Sequence, residues 1–573
     1  MFTATAATAS CSSTARCWLR HGAEATARYN RRSPPHQQLQ LVKMLQAATP
    51  SAYRRSKIYS RRSTTRCFSS ASDVPIVPMI INGEKIISKT EKFFDVHNPA
   101  TGELIAKTPL CLPSEMEEAV AGCKEAFKFW KKVAPSSRAR VMHKFEAKIR
   151  ENTEELAQLI TKEQGKTIAD ANGDIFRGLE VVEMACALPS WLQGESLQNI
   201  ADGVDCHSYR TPLGVTAGIA PFNFPAMIPL WMFPFSAGCG NTMLMKPSER
   251  VPLSTIRLME LAKESGLPDG VCNVIHGTFD AVNFICDHED IRAISFVGGN
   301  SAGEHIYERA AKTGKRAQCN MGAKNHCIVL PDADPDTVVN ALAGASCGAA
   351  GQRCMAISVA IFVGSAKEMI PRIAEAASTL KVGRGTEPGV SIGPLISKEA
   401  KSRVETAIQS GIDQGAELLI DGRNPTLSDA SLQNGYFVGS SVFSKVTADM
   451  DIYQKEIFGP VLSCMEVETF DDALQISNNN PYGNGCAVFT QSGFNARKYV
   501  DEIEAGQVGV NLPIPVPLPM FSFTGNKKSI RGDLNFYGKA GMQFFTQWKT
   551  VTSNWRQTKS SEQKVQASMP IMK

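Results

Sequence analysis

Short apolar runs that end in Gly, Pro or Ser turns constrain this chain more than any other feature. They read "GVTAGIAP" (214–221), "GNTMLMKPS" (240–248), "RAISFVGG" (292–299) and "SVAIFVG" (358–364). Runs this short, apolar on both faces and bounded by turn residues, are expected to be buried strands. Between and after them lie amphipathic stretches of helical period: "PLSTIRLMELAKESG" (252–266), "SAGEHIYERAAKTG" (301–314) and "KEMIPRIAEAASTL" (367–380). Parallel strands need a crossover, and a helix of this length supplies it. The expectation is an α/β chain with two α/β units that divide near residue 320.

Other segments refine this outline. "MIINGEKI" and "FFDVHNPATGELIAKTPL" predict short strands joined by turns. Residues 113–130 predict a helix capped by Ser114, with Glu117 closing a capping box. A long helical stretch should run from Ser136 to about Gly165. Asp334 and Pro335 suit a cap and first helical position. The prolines of "NLPIPVPLP" (511–519) exclude a central strand. "MQFFTQWKTVTSNW" (542–555) alternates apolar and polar residues over "FFTQWKTVTS", as a strand does.

Of 573 residues, 43% are hydrophobic and 20% charged, an ordinary globular balance. No apolar run is long enough to predict a membrane-spanning helix. The formal charge of +5 is unevenly spread: residues 1–73 hold twelve Lys and Arg but only Glu24 and Asp73 as acids. The rest is mildly acidic, which argues against a nucleic-acid partner. The leader, rich in Arg, Ser, Thr and Ala, has the composition of a mitochondrial transit peptide. "RRSTTRCFSSAS" (61–72) resembles a processing site with cleavage after Phe68, and Met44 is a possible internal start. Cys11, Cys17 and Cys67 lie in this leader. The remaining 13 cysteines form no CxxC pair, so neither a disulfide framework nor a metal site is expected.

"GAAGQRCMAI" (348–357) sets Cys354 beside Arg353 at the end of a run of small residues. A buried structural thiol is the ordinary reading of such a cysteine, so a nucleophile must be argued from its company. "APFNFPA" (220–226) holds Asn223 between prolines directly after a strand, where a stiff amide can donate to an oxyanion. Lys246 of "LMKPSE" can grip a phosphate or a ribose hydroxyl, and Glu249 can accept from ribose hydroxyls. In "SFVGGNSAG" (295–303) glycines lie between a strand and a helix start, where a pyrophosphate can sit. "KEIFGPV" (455–461) places Glu456 and Phe458 before a Gly-Pro turn.

In this order, "PFNFP", "KPSE", "FVGG", "GQRC" and "EIFGPV" resemble the aldehyde dehydrogenase superfamily over residues 75–555. The resemblance implies a Rossmann-type NAD-binding domain (73–195 and 213–320) and an α/β catalytic domain (321–534). It further implies an oligomerisation arm (196–212 and 535–557), a leader (1–72) and a C-terminal tail (558–573). By matching position it implies Cys354 as nucleophile and Asn223 as oxyanion donor. Phe222, Lys246, Glu249, Arg250, Phe296, Gly298, Glu456 and Phe458 would bind NAD. A homo-oligomer, as dimer or tetramer, is expected from the arm.

One position departs from the hydrolytic pattern. The segment "CNMGAKN" (319–325) has Asn320 where those enzymes carry the Glu that activates water. An amide cannot take that proton, so a Cys354 thioester should persist until a thiol removes its acyl group. "CNMGAKNH", "GQRCMA" and "PIPVPLPMFSFTG" accordingly resemble the CoA-acylating branch that oxidises methylmalonate and malonate semialdehydes. A carboxylate-bearing substrate calls for cations: Arg353, and Arg177 within the apolar "GDIFRGLEVVEMA" (173–185). Phe521 and Phe523 are candidates for the funnel's apolar wall. Two alternatives stay open: a hydrolytic enzyme with another base, and a catalytically silent binding protein. The expected address is the mitochondrial matrix.

Overall fold

The computed structural model describes residues 74–555. The proposed processing site, Met44, the leader and the end of the chain lie outside the described residues. Most of the chain is built on two sheets. In the first, five parallel strands stand in the order Cys272–Val274, Thr242–Lys246, Val215–Ile219, Ile291–Val297 and Arg316–Asn320. Antiparallel strands Met79–Ile81 and Glu84–Ile86 extend one edge, and Ile530–Arg531 closes the other. Strands Thr242–Lys246 and Val215–Ile219 are buried throughout, because both faces of a parallel sheet are covered.

The chain runs outward from Val215–Ile219 in one direction, then returns to lay Ile291–Val297 on its other side. This reversal opens a crevice beyond the carboxyl ends of the strands, the usual ligand position in such sheets. The second sheet has the order Glu417–Ile420, Ser441–Ser444, Val461–Val467, Ile357–Val363, Asn325–Val329, Gly485–Phe489 and Gln507–Val510. Its strands are parallel apart from the edge strand Glu417–Ile420. The last strand of the first sheet's parallel core ends at Asn320, and the second sheet begins at Asn325.

The helix Met227–Cys239 is apolar all round and therefore lies wholly inside. Helix Ile168–Cys186 lays Ile175, Leu179, Val182 and Cys186 on the same core. Two sequence expectations need correction here. The first long helix starts at Pro113 with Leu112 as its cap residue, and Glu115, not Glu117, reaches back to the Leu112 N–H (2.8 Å). Pro113 suits the first helical position because it has no N–H to satisfy, which moves the cap upstream of Ser114. The stretch expected from Ser136 to Gly165 is two helices, Pro135–Glu151 and Thr153–Gln164, broken at Asn152.

A three-stranded antiparallel sheet of Glu195–Ala201, Val204–Pro212 and Thr546–Asn554 stands apart from the two large ones. Its strand Thr546–Asn554 begins later than the alternation predicts. Phe544 and Phe545 belong to the end of a short helix, Gly538–Phe544, and are buried in the main core. Only Trp548 and Trp555 of the four terminal aromatics are exposed, at 47% and 68%.

Candidate active site

Cys354 sits on an irregular segment between helix Pro335–Cys347 and strand Ile357–Val363. Ala349, Ala350 and Gly351 precede it with φ of 50°, 54° and 69°. A Cβ on Gly351 would lie 2.1 Å from the Gly459 carbonyl oxygen, so this turn admits only glycine there. The Cys354 carbonyl accepts from two side-chain amides, Asn325 Nδ2 (2.8 Å) and Asn484 Nδ2 (3.0 Å). Cys354 is thus held from its backbone.

Two cavities meet at Cys354. The first, of about 320 Å³, is lined by Phe222, Asn223, Gly298, Glu456 and Phe458. The second, of about 200 Å³, is lined by Arg177, Arg353, Phe224, Trp231 and Phe523. Asn223 is buried in the wall of the first, and its Nδ2 donates to the Gln352 carbonyl (3.0 Å). One amide hydrogen is anchored by that bond, and an amide has a second to give. Burial, with the Glu456 charge, pushes the Cys354 thiol up to about 12, against the backbone N–H groups and Arg353. The electropositive setting usual for a reactive cysteine is therefore weak at rest.

The first cavity fits a dinucleotide. It lies at the sheet's reversal point, and helix Asn300–Lys312 starts at Gly299 with no side-chain cap. Its first-turn N–H groups are left for a ligand. A Cβ on Gly298 would lie 2.4 Å from Phe296 Cζ, while Gly299 has open space. The Phe296 ring is buried beneath the glycine turn and does not line the cavity. Phe222 and Phe458 meet edge-on, with ring centroids 6.0 Å apart. Glu456 accepts from Ala323 N–H (3.1 Å), and burial raises its carboxyl against Lys324 and Arg403. Lys246 ends a strand in register with Ile219, and its Nζ donates to the Pro247 carbonyl (2.9 Å) and to Glu249 Oε2 (3.5 Å). Burial lowers the Lys246 ammonium. Lys246, Glu249 and Arg250 all lie outside the lining of the first cavity. Arg250 lines another cavity with Asp95, His97 and Tyr436, its guanidinium 5.1 Å from the Phe94 ring centre.

The substrate-side arginines are both paired. Arg353 bonds Asp170, while Arg177 bonds Glu180 Oε2 (2.8 Å) on its own helix and the Val516 carbonyl (2.9 Å). Phe523 forms the cavity wall, 4.9 Å between ring centres from Trp231. Phe521 does not; it is 69% exposed. Asn320 closes strand Arg316–Asn320 and is buried. No carboxylate stands at that position.

Three charged residues outside the sequence-predicted set line the second cavity: Lys166, Asp170 and Asp174. Arg403, also outside that set, lines the first. The signal was present in "GKTIADANGDIFR", where Asp170, Asp174 and Arg177 recur at helical spacing. Among the described residues, one group could hold a metal: His143, Glu146 and Cys186. There Arg150 already pairs with Glu146 (3.1 Å), so a second cation is opposed.

Comparison with known proteins decides the family. The aldehyde dehydrogenase family model matches residues 86–551. The chain belongs to the aldehyde dehydrogenase family. A Homo sapiens relative, the mitochondrial methylmalonate-semialdehyde/malonate-semialdehyde dehydrogenase [acylating], is 54% identical over 517 residues, 90% of this chain and 96% of its own. An Arabidopsis thaliana mitochondrial methylmalonate-semialdehyde dehydrogenase [acylating] is 56% identical over 496 residues, 87% of this chain and 81% of its own. A solved methylmalonate-semialdehyde dehydrogenase from Oceanimonas doudoroffii superposes with TM-score 0.83 at 43% identity, covering 85% of this chain and 99% of that one. A Sinorhizobium meliloti 1021 structure complexed with NAD gives TM-score 0.84 at 44% identity, with the same coverage. These aldehyde dehydrogenases share the mixed α/β architecture seen here.

Proposed function

We propose that this chain is a NAD-dependent, CoA-acylating dehydrogenase of methylmalonate and malonate semialdehydes, yielding propionyl-CoA and acetyl-CoA with loss of CO₂. The observation that carries the reading is Cys354 at the junction of two cavities, one fitting a dinucleotide and one lined by arginines. The names of the relatives support the substrate class. When bound, NAD accepts the hydride and CoA supplies the thiol that takes the acyl group.

The chain's own residues have the remaining tasks. Cys354 attacks the aldehyde carbon through Sγ, and the free hydrogen of Asn223 Nδ2 and the Cys354 N–H receive the oxyanion. Gly298 and the helix start at Gly299 hold the pyrophosphate, Lys246 and Glu249 the adenosine ribose, and Glu456 with Phe458 the nicotinamide side. Phe222 belongs to the same wall. Arg177 and Arg353 orient the substrate carboxylate. The oxyanion donors also stabilise the enolate left when a β-carboxy acyl group loses CO₂. Because the arginines stabilise the carboxylate, they aid binding more than decarboxylation. Asn320 leaves the thioester without a base to activate water.

The first sheet with its helices is the NAD-binding domain, the second the catalytic domain, and the exposed three-stranded sheet the oligomerisation arm. The arm would build a homodimer or a tetramer of dimers. A mitochondrial address follows from the leader's composition and from the relatives, and we assign the matrix within it. The test is product identification: methylmalonate semialdehyde with NAD and CoA should give propionyl-CoA, CO₂ and NADH in equal amounts. Cys354→Ala should abolish all three, and retained turnover would overturn the assignment.

A further inference from the structure

The oxyanion loop is fixed by a buried ion pair to which the proposed chemistry gives no task. Lys166 and Asp174 are both fully buried, with Nζ 2.9 Å from Oδ2. Lys166 Nζ also donates to the backbone carbonyl of Asn223 (2.7 Å) and stands 4.2 Å from the Phe224 ring centre. Asp174 Oδ1 accepts from the Met227 N–H (2.7 Å). The pair therefore grips the segment 223–227 at both ends. An isolated charge is costly to bury, and such a pair is weak evidence for stability, because apolar residues often serve as well. One turn earlier on the same helix, Asp170 Oδ2 accepts from the Ala349 N–H (3.1 Å), in the turn leading to Cys354. A single helix thus anchors the loop of the donor and the loop of the nucleophile.

We infer that Lys166 and Asp174 are positioning residues that set the Asn223 carboxamide against the reacting carbonyl. The inference rests on the assignment of Asn223 as oxyanion donor. Misplacing a catalytic group by about an ångström can cost about a hundredfold in rate.

The experiment is a double-mutant cycle on first-turnover NADH formation, with malonate semialdehyde and saturating NAD. Asp174→Asn should slow that rate roughly 10–100-fold, with KM for the aldehyde changed less than about threefold. In an Asn223→Ala background the same substitution should cost less than about threefold, because coupled residues are non-additive. Equal losses in both backgrounds mean a merely structural pair and overturn the inference. If Asn223→Ala alone costs less than about tenfold, the oxyanion assignment fails instead. Asp174→Asn leaves the Lys166 ammonium unpaired and can weaken the fold. The companion variant Lys166→Met/Asp174→Leu removes both charges together. Its thermal melt should stay close to wild type while the first-turnover rate falls and KM holds. A folded companion variant with the wild-type rate overturns the inference.

Discussion

The resting state of the Cys354 thiol can be measured directly. Burial and the Glu456 charge push the Cys354 thiol up to about 12. An ordinary exposed thiol titrates near ~8.5, so at pH 7.5 about one in ten is thiolate. A thiol near 12 has roughly three-thousandfold less thiolate at that pH. The more basic thiolate is intrinsically more reactive, which recovers roughly fortyfold for a Brønsted slope near ~0.45. The net expectation is alkylation slower than that of an exposed cysteine by roughly one to two orders of magnitude. The assay is iodoacetamide labelling of the cofactor-free protein, with the Cys354 peptide followed by mass spectrometry. The rate should climb about tenfold per pH unit from 6.5 to 9.5 without levelling, as far below a pKa it must. Glu456→Gln should speed labelling by removing the charge that holds the thiol protonated. A plateau below about pH 9 in the cofactor-free protein would refute the reasoning, since it would require a thiolate stabilised without NAD.

Arg177→Leu should raise KM for malonate semialdehyde at least tenfold, about the worth of one charge-assisted hydrogen bond. The same change should affect propanal much less, and equal losses for both aldehydes in steady-state assays would assign Arg177 to the fold. Gly351→Ala should lower the melting temperature and abolish NADH formation, because its Cβ would meet the Gly459 carbonyl at 2.1 Å. Thermal melts and turnover check this together. Truncation after Phe545 should abolish the proposed homo-oligomer in light scattering while the chain still folds. It removes strand Thr546–Asn554 but keeps the core residues Phe544 and Phe545. An unchanged mass per particle would count against the arm.

The strands of the parallel sheets were legible because each is buried on both faces and ends in turn residues. The helix starts were less so. Pro113 carries its own solution to the missing donor and displaces Ser114, a choice that depends on Glu115 also accepting from Ser88 Oγ (2.6 Å) and the Lys89 N–H (2.7 Å). At the terminal strand, alternation across "FFTQ" looks identical whether a phenylalanine ends a helix or starts a strand. Only the core beneath Phe544 and Phe545 decides it. Cys354 and Asn223 were legible through their motifs, and the structure sets them around one junction. Arg250, named through the resemblance, turns its side chain to Phe94 and lines a separate cavity. Asp174 carried helical spacing, but Lys166 stands before the helix and the loop groups that the pair holds lie 57 and 53 residues away in the chain, beyond any local pattern.

In the proposed reaction Asn320, standing where a base would activate water, leaves the acyl group to a thiol. The most direct measurement is NADH formation from malonate semialdehyde and NAD in the absence of CoA, with enzyme at substrate-level concentration. Turnover should stop after one equivalent of NADH per Cys354, and adding CoA should restart it with acetyl-CoA and no free acid. Sustained turnover to free acid without CoA would contradict the account and establish a hydrolytic enzyme with another base.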